Sequence, residues 1–502
     1  MGMVLNTNTA ALQAQRSLEV SRVEMEKAME RLSTGKKINS AADDAAGLAM
    51  VQRMNTQISG LKMATKNAND GIALVKTVET ALTEVSGMLQ RMRVLSLQAA
   101  NDTNTASERG FAKQEITTLQ AEISRVSANT RYNGALVLNG TFSAKSLQLG
   151  TMAGEELIFS IDTVEAELLG AYVISSTTTP AIHADSYVAA TNPTTVNQNI
   201  GVVAKDVTKS IDVQADWSAK TTATKISALA GSTGVTASAR TNAHLYTAAT
   251  TNQAFTVKIN GTATGSFTIT KNDVSTAVSA INAIASTTGV SAKAIIHTDA
   301  SNNTTHRVLL TDSDGDDFAI ENLSGLVDVM EIDAVSFDGE TAAGSAVALK
   351  DYTVANDTAH VVGTIRTTSN QRFTITQTAD GAAGASEYFP ATTAATLKTI
   401  SDVDVTTAIK AANSLAYIDG ALEHVSNIRS GLGALNNRLD YTVSNLMKVT
   451  QFTTAARSRI EDADFAEETS RLAKAQVLQQ AGAAMLSQAN ASTDVVLQLL
   501  RN

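Results

Sequence analysis

The sequence predicts an α+β multidomain protein, in which paired N- and C-terminal regions form a long coiled-coil-like helical bundle carrying a β-rich central insert. Three observations support this. All three prolines, Pro180, Pro193 and Pro390, fall in the middle of the 502 residues, so neither end contains a strong helix breaker. Small and apolar residues recur at alternating steps of three and four along both ends, the spacing of a coiled-coil seam. Between them, composition shifts to Thr, Ala, Ser, Gly and Asn, and apolar residues alternate with the period of strands.

The N-terminal seam runs through Ala11, Ala14, Leu18, Ser21, Met25, Ala28 and Leu32, predicting a helix over residues 3–34. Gly35 terminates it beside Lys36 and Lys37, and Ser40 followed by Asp43 reads as a capping box that opens the next helix, with Asp44 adding favourable charge. A second series runs from Val51 through Ile58 to Val75, slips by three, and resumes from Val78 to Met92. Such a stammer overwinds a coil locally. A third, shorter helix carries Ala112, Ile116, Leu119, Ile123 and Val126.

The C-terminal end answers with Ile428, Leu432, Leu435, Leu439 and onward to Ile460. Segments 48–98 and 405–456 are similar in length, ~75 Å each at ~1.5 Å per residue, which predicts that the two ends of the chain pack together. Ser458 and Glu461 read as a second cap, with Asp462 and Asp464 behind it, so a second joint is expected level with the first. The terminal helices, 3–34 and 459–500, are expected to pack through Leu18, Met25, Leu32, Leu478, Met485 and Leu486. Residues 475–491 are mostly Ala, Gln and Ser, and Gly482 in mid-helix costs ~1 kcal/mol relative to Ala. So weak a pair is expected to be completed by copies of itself.

In the insert, AFTVKINGTATGSFTIT (254–270) alternates Phe255, Val257 and Ile259, turns at Asn260 and Gly261, and returns with Phe267 and Ile269, a hairpin pattern. Val274, Val278, Ile281 and Ile284 then mark a short helix. STGVTASA at 232–239 recurs as TTGVSAKA at 287–294, each after a helix-like segment, which predicts a duplicated helix and strand unit. An earlier hairpin is expected from ALVLNG and SLQLG. The predicted division is 1–40 plus 459–502 as a terminal coiled coil, 41–150 plus 405–458 as a helical bundle with an edge hairpin, and 151–404 as an insert of two subdomains.

Composition narrows the chemistry. The net charge of −10 and the lack of a basic patch argue against nucleic acid as a partner. Cysteine is absent, which removes disulfides and thiol chemistry. No apolar run approaches the ~18 residues of a membrane span, and the N-terminus has no basic region followed by an apolar one, so neither membrane insertion nor an ordinary secretory signal is expected. TDSDGDDFAIE (311–321) looks like a calcium loop, but counted from Asp312 it lacks the glycine and the closing glutamate of an EF-hand, and a solvated turn is expected instead. His424 beside Glu423 lacks the second histidine of a zinc protease motif. No enzyme, metal or cofactor is expected. The many Ser and Thr of 174–250 are possible acceptors of O-linked sugars.

VLNTNTAAL, RLSTGKKINSAADDAAGLAM, RSGLGALNNRLDYTVSNL at 429–446, and SRIEDADFAEETSRLAKAQVLQQAGAAMLSQAN at 458–490 closely resemble bacterial flagellin. The resemblance implies an extracellular filament built as a homopolymer, with terminal helices in concentric coiled-coil tubes and the insert projecting outward. It also implies an export chaperone, the flagellar type III export apparatus, and hook-associated and cap proteins as partners. In the family, the helix matching LQRMRVLSLQAAN (89–101) and its partner carry a surface used between subunits and bound by the Toll-like flagellin receptor of animal hosts. By motif, Arg91, Leu95, Gln98 and Glu115 would be its central contacts, with Val94 where the family commonly has an acidic residue. A hook-filament junction protein, or an adhesin displayed on a filament, is the alternative expectation.

Overall fold

The computed structural model describes residues 7–176, 182–184, 198–205, 207–214, 217–247, 253–298, 304–325, 330–341, 346–349, 357–379, 388–389 and 391–501. The three prolines lie outside these, as does part of the Ser- and Thr-rich stretch. Two compact units divide the chain: Met1–Lys76 with Ala144–Phe159 and Gly433–Asn502, and Thr77–Ser143 with Ser160–Leu432.

The first unit contains the terminal helices. Helix α1 (Thr9–Thr34) starts at Asn8, whose side chain accepts from the Ala11 N–H at 2.9 Å, and stops at Gly35, which is left-handed at φ 70°. Helix α2 (Ala45–Ala99) follows, and the short helix α3 is Ala106–Asn129. Thr105 and Glu108 form a reciprocal cap on α3, a start signal that apolar periodicity alone did not locate. Small helices α4 (Ala219–Ala228) and α5 (Ser275–Asn282) belong to the insert, while α6 (Ala408–Glu461) and α7 (Phe465–Arg501) complete the set of longer helices named here.

Both predicted caps need correction. Asp43 does draw in the N–H and hydroxyl of Ser40 at 3.0 Å each, which holds its carboxyl below the usual range, but this closes a turn ahead of the helix. The residue that caps α2 is Asp44, which accepts from the N–H groups of Ala46 and Gly47. At the other joint, Ser458 and Glu461 are the last turn of α6 rather than the start of α7, because the hydroxyl of Ser458 binds Asp462 four residues on. Asp464 caps α7 through the N–H groups of Ala466 and Glu467.

Also in this unit, Lys145–Gln148 pairs antiparallel with Glu156–Phe159 and packs Leu147 and Leu157 against Ala68, Ile72 and Leu439. SLQLG therefore does not pair with ALVLNG. The latter turns back at Asn133 and Gly134 onto Arg131–Tyr132, since both turn residues take the positive φ that a tight hairpin requires.

In the second unit, Leu82, Val85, Leu89 and Met92 of α2 are buried, as are Ile116 and Ile123 of α3 and Ile418 and Val425 of α6. Cross-links tie these helices: Arg93 to Asp419 at 2.6 Å, Arg429 to Glu79 at 2.7 Å, and Lys113 to the Val403 carbonyl at 2.6 Å. The predicted hairpin forms at Asn260 and Gly261, with Val257–Ile259 on Thr262–Ala263 and Gln253–Phe255 on Phe267–Ile269.

The sequence repeat is a structural repeat. In each copy a helix, a four-residue helical turn (Ala230–Thr233 or Ala285–Thr288) and a left-handed glycine (Gly234 or Gly289) lead into a strand, Thr236–Tyr246 or Val290–Thr298. Ser227 bonds the N–H and carbonyl of Ala237, and Asn282 bonds those of Ala292, at the same separation of ten residues. The copies share one eight-stranded sheet, because Thr304–Asp312 lies between the two repeat strands and pairs with both. Each copy keeps its own apolar core, around Ile226 and Phe373 in one and around Ile281 and Phe318 in the other.

TDSDGDDFAIE is a turn between strands, but a packed one. Asp312 is buried and accepts from the N–H groups of Asp314 and Gly315, and Lys220 bridges Asp314 and Asp316. Desolvation pushes the carboxyl of Asp317, which accepts from the Gly363 N–H at 2.9 Å, up to about 7. His424 is half-buried on α6.

Candidate assembly surface

Helices α1 and α7 run antiparallel. The Asn8 amide donates to the Ala489 carbonyl at 3.1 Å at one end, and Arg31 pairs with Glu468 at 3.1 Å at the other. The α1 face that turns inward is the 3/4 seam, with Ser21 and Ala28 buried and Leu18, Met25 and Leu32 half-buried. Its counterpart on α7 steps through Leu472, Ala475, Gln479, Gly482, Leu486 and Ala489, again by threes and fours. Of the α7 residues expected to pack here, Leu486 does. Leu478 and Met485 do not: one step off the seam, they point outward, 44% and 65% exposed. The sequence could have shown this, since the 3/4 phase that includes Ala475 and Gly482 passes over both.

The joint closes where the chain passes from these helices into the rest of the unit. Lys36 pairs with Asp462 as an isolated β-bridge, the Lys37 N–H donates to the Glu461 carbonyl at 2.6 Å, and the Ala463 N–H donates to the Gly35 carbonyl at 3.0 Å. The buried Glu461 carboxylate receives Lys36 at 2.6 Å and Arg457 at 3.4 Å. Gly35, Ser458 and Glu461 thus meet at one level, while Ser40 and Asp43 form the turn that follows.

The outward side of the terminal pair carries apolar side chains among charged ones such as Glu19, Arg22 and Glu26. Leu12, Val20 and Met29 on α1, and Val477, Leu478 and Met485 on α7, are exposed, with nothing among the described residues that buries them. Patches of this kind on a helix pair mark a protein interaction surface. Tyr441 and Phe452 on α6 are likewise exposed.

In the second unit, Arg91 and Glu115 meet as a two-point ion pair at 2.6 and 3.1 Å, about half exposed, and Glu115 holds the guanidinium more firmly protonated. Gln98 is exposed. Leu95 is corrected: only 4% exposed, it faces inward among the bundle residues. The exposed apolar side chains here are Val94 and two that the motif did not single out, Leu97 and Phe111.

Residues 5–143 match the bacterial flagellin N-terminal helical region, and residues 415–500 match the C-terminal helical region. Over the full length of both chains, this one is 34% identical to the B-type flagellin of Pseudomonas aeruginosa. The chain belongs to the bacterial flagellins. It is also 33% identical over both full lengths to a flagellin of Salmonella typhimurium. A solved structure of FliC from Burkholderia pseudomallei overlays with a TM-score of 0.30 at 15% identity, covering 73% of this chain and 99% of that one, too loosely to argue from. The protein is accordingly a structural subunit of the extracellular flagellar filament, and it polymerises with itself.

Proposed function

We propose that polymerisation runs through the outward apolar face of the α1 and α7 pair, so that residues 1–40 with 459–502 form the filament core. Residues 41–150 with 405–458 form the surrounding bundle, and 151–404 project as the exposed insert. What supports this is the run of unpartnered apolar side chains, Val477, Leu478 and Met485 above all, on a helix whose other face is already satisfied by α1. Burying one such side chain fully is worth about 1.5–3 kcal/mol, so every copy that docks gains what the isolated pair lacks.

Arg91, Gln98 and Glu115, with Val94, Leu97 and Phe111 beside them, form a second contact between subunits and the surface offered to a Toll-like receptor. The chain reaches the outside through the flagellar type III export apparatus with an export chaperone, and hook-associated and cap proteins are its further partners. Met485→Glu tests the central claim. Salt-induced polymerisation, followed by light scattering and electron microscopy, is expected to be lost while the circular dichroism of the monomer is unchanged. Normal filaments from that variant would refute the assignment.

A further inference from the structure

One face of the eight-stranded sheet carries two arginines whose guanidinium groups bond no carboxylate among the described residues. Arg240 on strand Thr236–Tyr246 and Arg366 on strand Thr364–Ser369 share that face, since Arg240 pairs with Thr364 and Ser238 with Arg366 across the ladder. Both guanidinium groups converge on the buried ring of Phe337, their Cζ atoms 5.2 and 4.2 Å from its centroid. Arg366 donates from Nη1 to Oδ1 of Asn413 at 3.1 Å, while its Nε is buried without an acceptor. Among the described residues, no hydrogen bond or ion pair reaches the Arg240 guanidinium.

The carboxylate whose charge acts on Arg366, Asp338, is already engaged. Its Oδ1 accepts from the Ser336 hydroxyl and from the N–H groups of Glu340 and Thr341, and its Oδ2 accepts from the Thr341 hydroxyl. Desolvation brings Arg366 down to about 10, with Arg240 opposing its charge and Tyr417 and Asp338 favouring it, and desolvation lowers Arg240 as well. Such groups are ordinarily paired when removed from water.

The same strand supplies an internal comparison. Tyr246 lies on the same face, and there Arg307 stacks over the ring at 3.8 Å while reaching Asp333 at 2.9 Å. Arginine, aromatic ring and carboxylate are all present at that position. At Phe337 there are two arginines and a ring, and among the described residues no carboxylate is bonded to either arginine.

We propose that Arg240 and Arg366 are the two arms of a binding site for a small oxyanion of phosphate, sulfate or carboxylate chemistry. Guanidinium forks match paired oxygens, and a ring held against both keeps the forks oriented. Through Asn413, which also donates to the Asp338 carbonyl at 3.2 Å, the bound anion fastens the sheet to α6. Its source is either a free inorganic anion or the carboxylate of an acidic sugar.

The test is isothermal titration of the monomeric full chain with inorganic phosphate, sulfate and glucuronate in separate runs, at millimolar levels and at ionic strength fixed with sodium chloride. At least one is expected to bind saturably, and Arg240→Met and Arg240→Lys are each expected to weaken it tenfold or more, Lys keeping the charge but losing the fork. Phosphate or sulfate binding alone identifies an inorganic ion; glucuronate binding alone identifies the carboxylate. Thermal unfolding adds a sign. Arg240→Met should melt above the native chain in chloride, where it relieves repulsion, and below it in the saturating anion. No saturable heat with any of the three overturns the proposal, as does binding that survives Arg240→Met unchanged.

Discussion

Leu18 of α1 lies directly over Gly482 of α7, so close that a Cβ at that glycine would come within 2.9 Å of the leucine side chain. The mid-helix glycine that weakens α7 in isolation is what lets the two terminal backbones approach. Gly482→Ala gains ~1 kcal/mol of helix propensity but overpacks the seam, at a cost of about 1–3 kcal/mol. The net expectation is destabilisation of the pair by about 1 kcal/mol. A double-mutant cycle with Leu18→Ala, read by thermal unfolding of the helical signal, should recover the loss, because the shorter side chain frees the space.

Glu461 and Glu468 are buried carboxylates with cationic partners, and removing either leaves a cation short of its acceptor. Glu461→Ala strips both Lys36 and Arg457 and is expected to loosen the joint by about 1–3 kcal/mol. Limited proteolysis of the monomer checks this, with faster cleavage expected within residues 35–40 and 462–464.

By contrast, Arg91 and Glu115 form an exposed pair, and such pairs are worth about 0–1 kcal/mol. Arg91→Ala should leave the melting temperature of the monomer nearly unchanged. Its effect belongs to assembly, where a slower rate of filament elongation on preformed seeds is the expected result.

Asp317 gives the insert a pH dependence of predictable sign. Its folded pKa, about 7, lies above the ordinary value of 3.8, so the native state holds its proton more tightly than the unfolded chain does. Its contribution to stability is full below about pH 4 and is lost as pH rises through about 7. Asp317→Asn, which keeps an acceptor for the Gly363 N–H, should raise the melting temperature of the insert at pH 8 and change it little at pH 4. Calorimetry at the two pH values decides it.

Helix existence, the pairing of the chain ends and the repeat in the insert could be read from the sequence because each rests on a period or a recurring phrase. Where several polar residues compete for one role, reading became harder. Ser40, Asp43 and Asp44 are all capable of capping α2, and only the path of the chain selects Asp44. The same competition decides Ser458, whose hydroxyl bonds Asp462 instead of starting a helix. Leu95 and Leu97 are both leucines of one motif, and which of them turns inward follows from helix phase against α3 and α6 rather than from residue type. The cluster of two arginines and Phe337 gives no local signal, since its three members come from positions 240, 337 and 366.

At the joint, the polypeptide crosses twice, once at Gly35 to Lys37 and once at Glu461 to Ala463, and hydrogen bonds stitch the crossings together. A single strand could swivel about its own single bonds. Two strands joined side by side cannot turn independently, because rotation of one drags the other and breaks the stitches between them. A connector of this form is stiff in torsion, as is suitable for a subunit in a rotating filament.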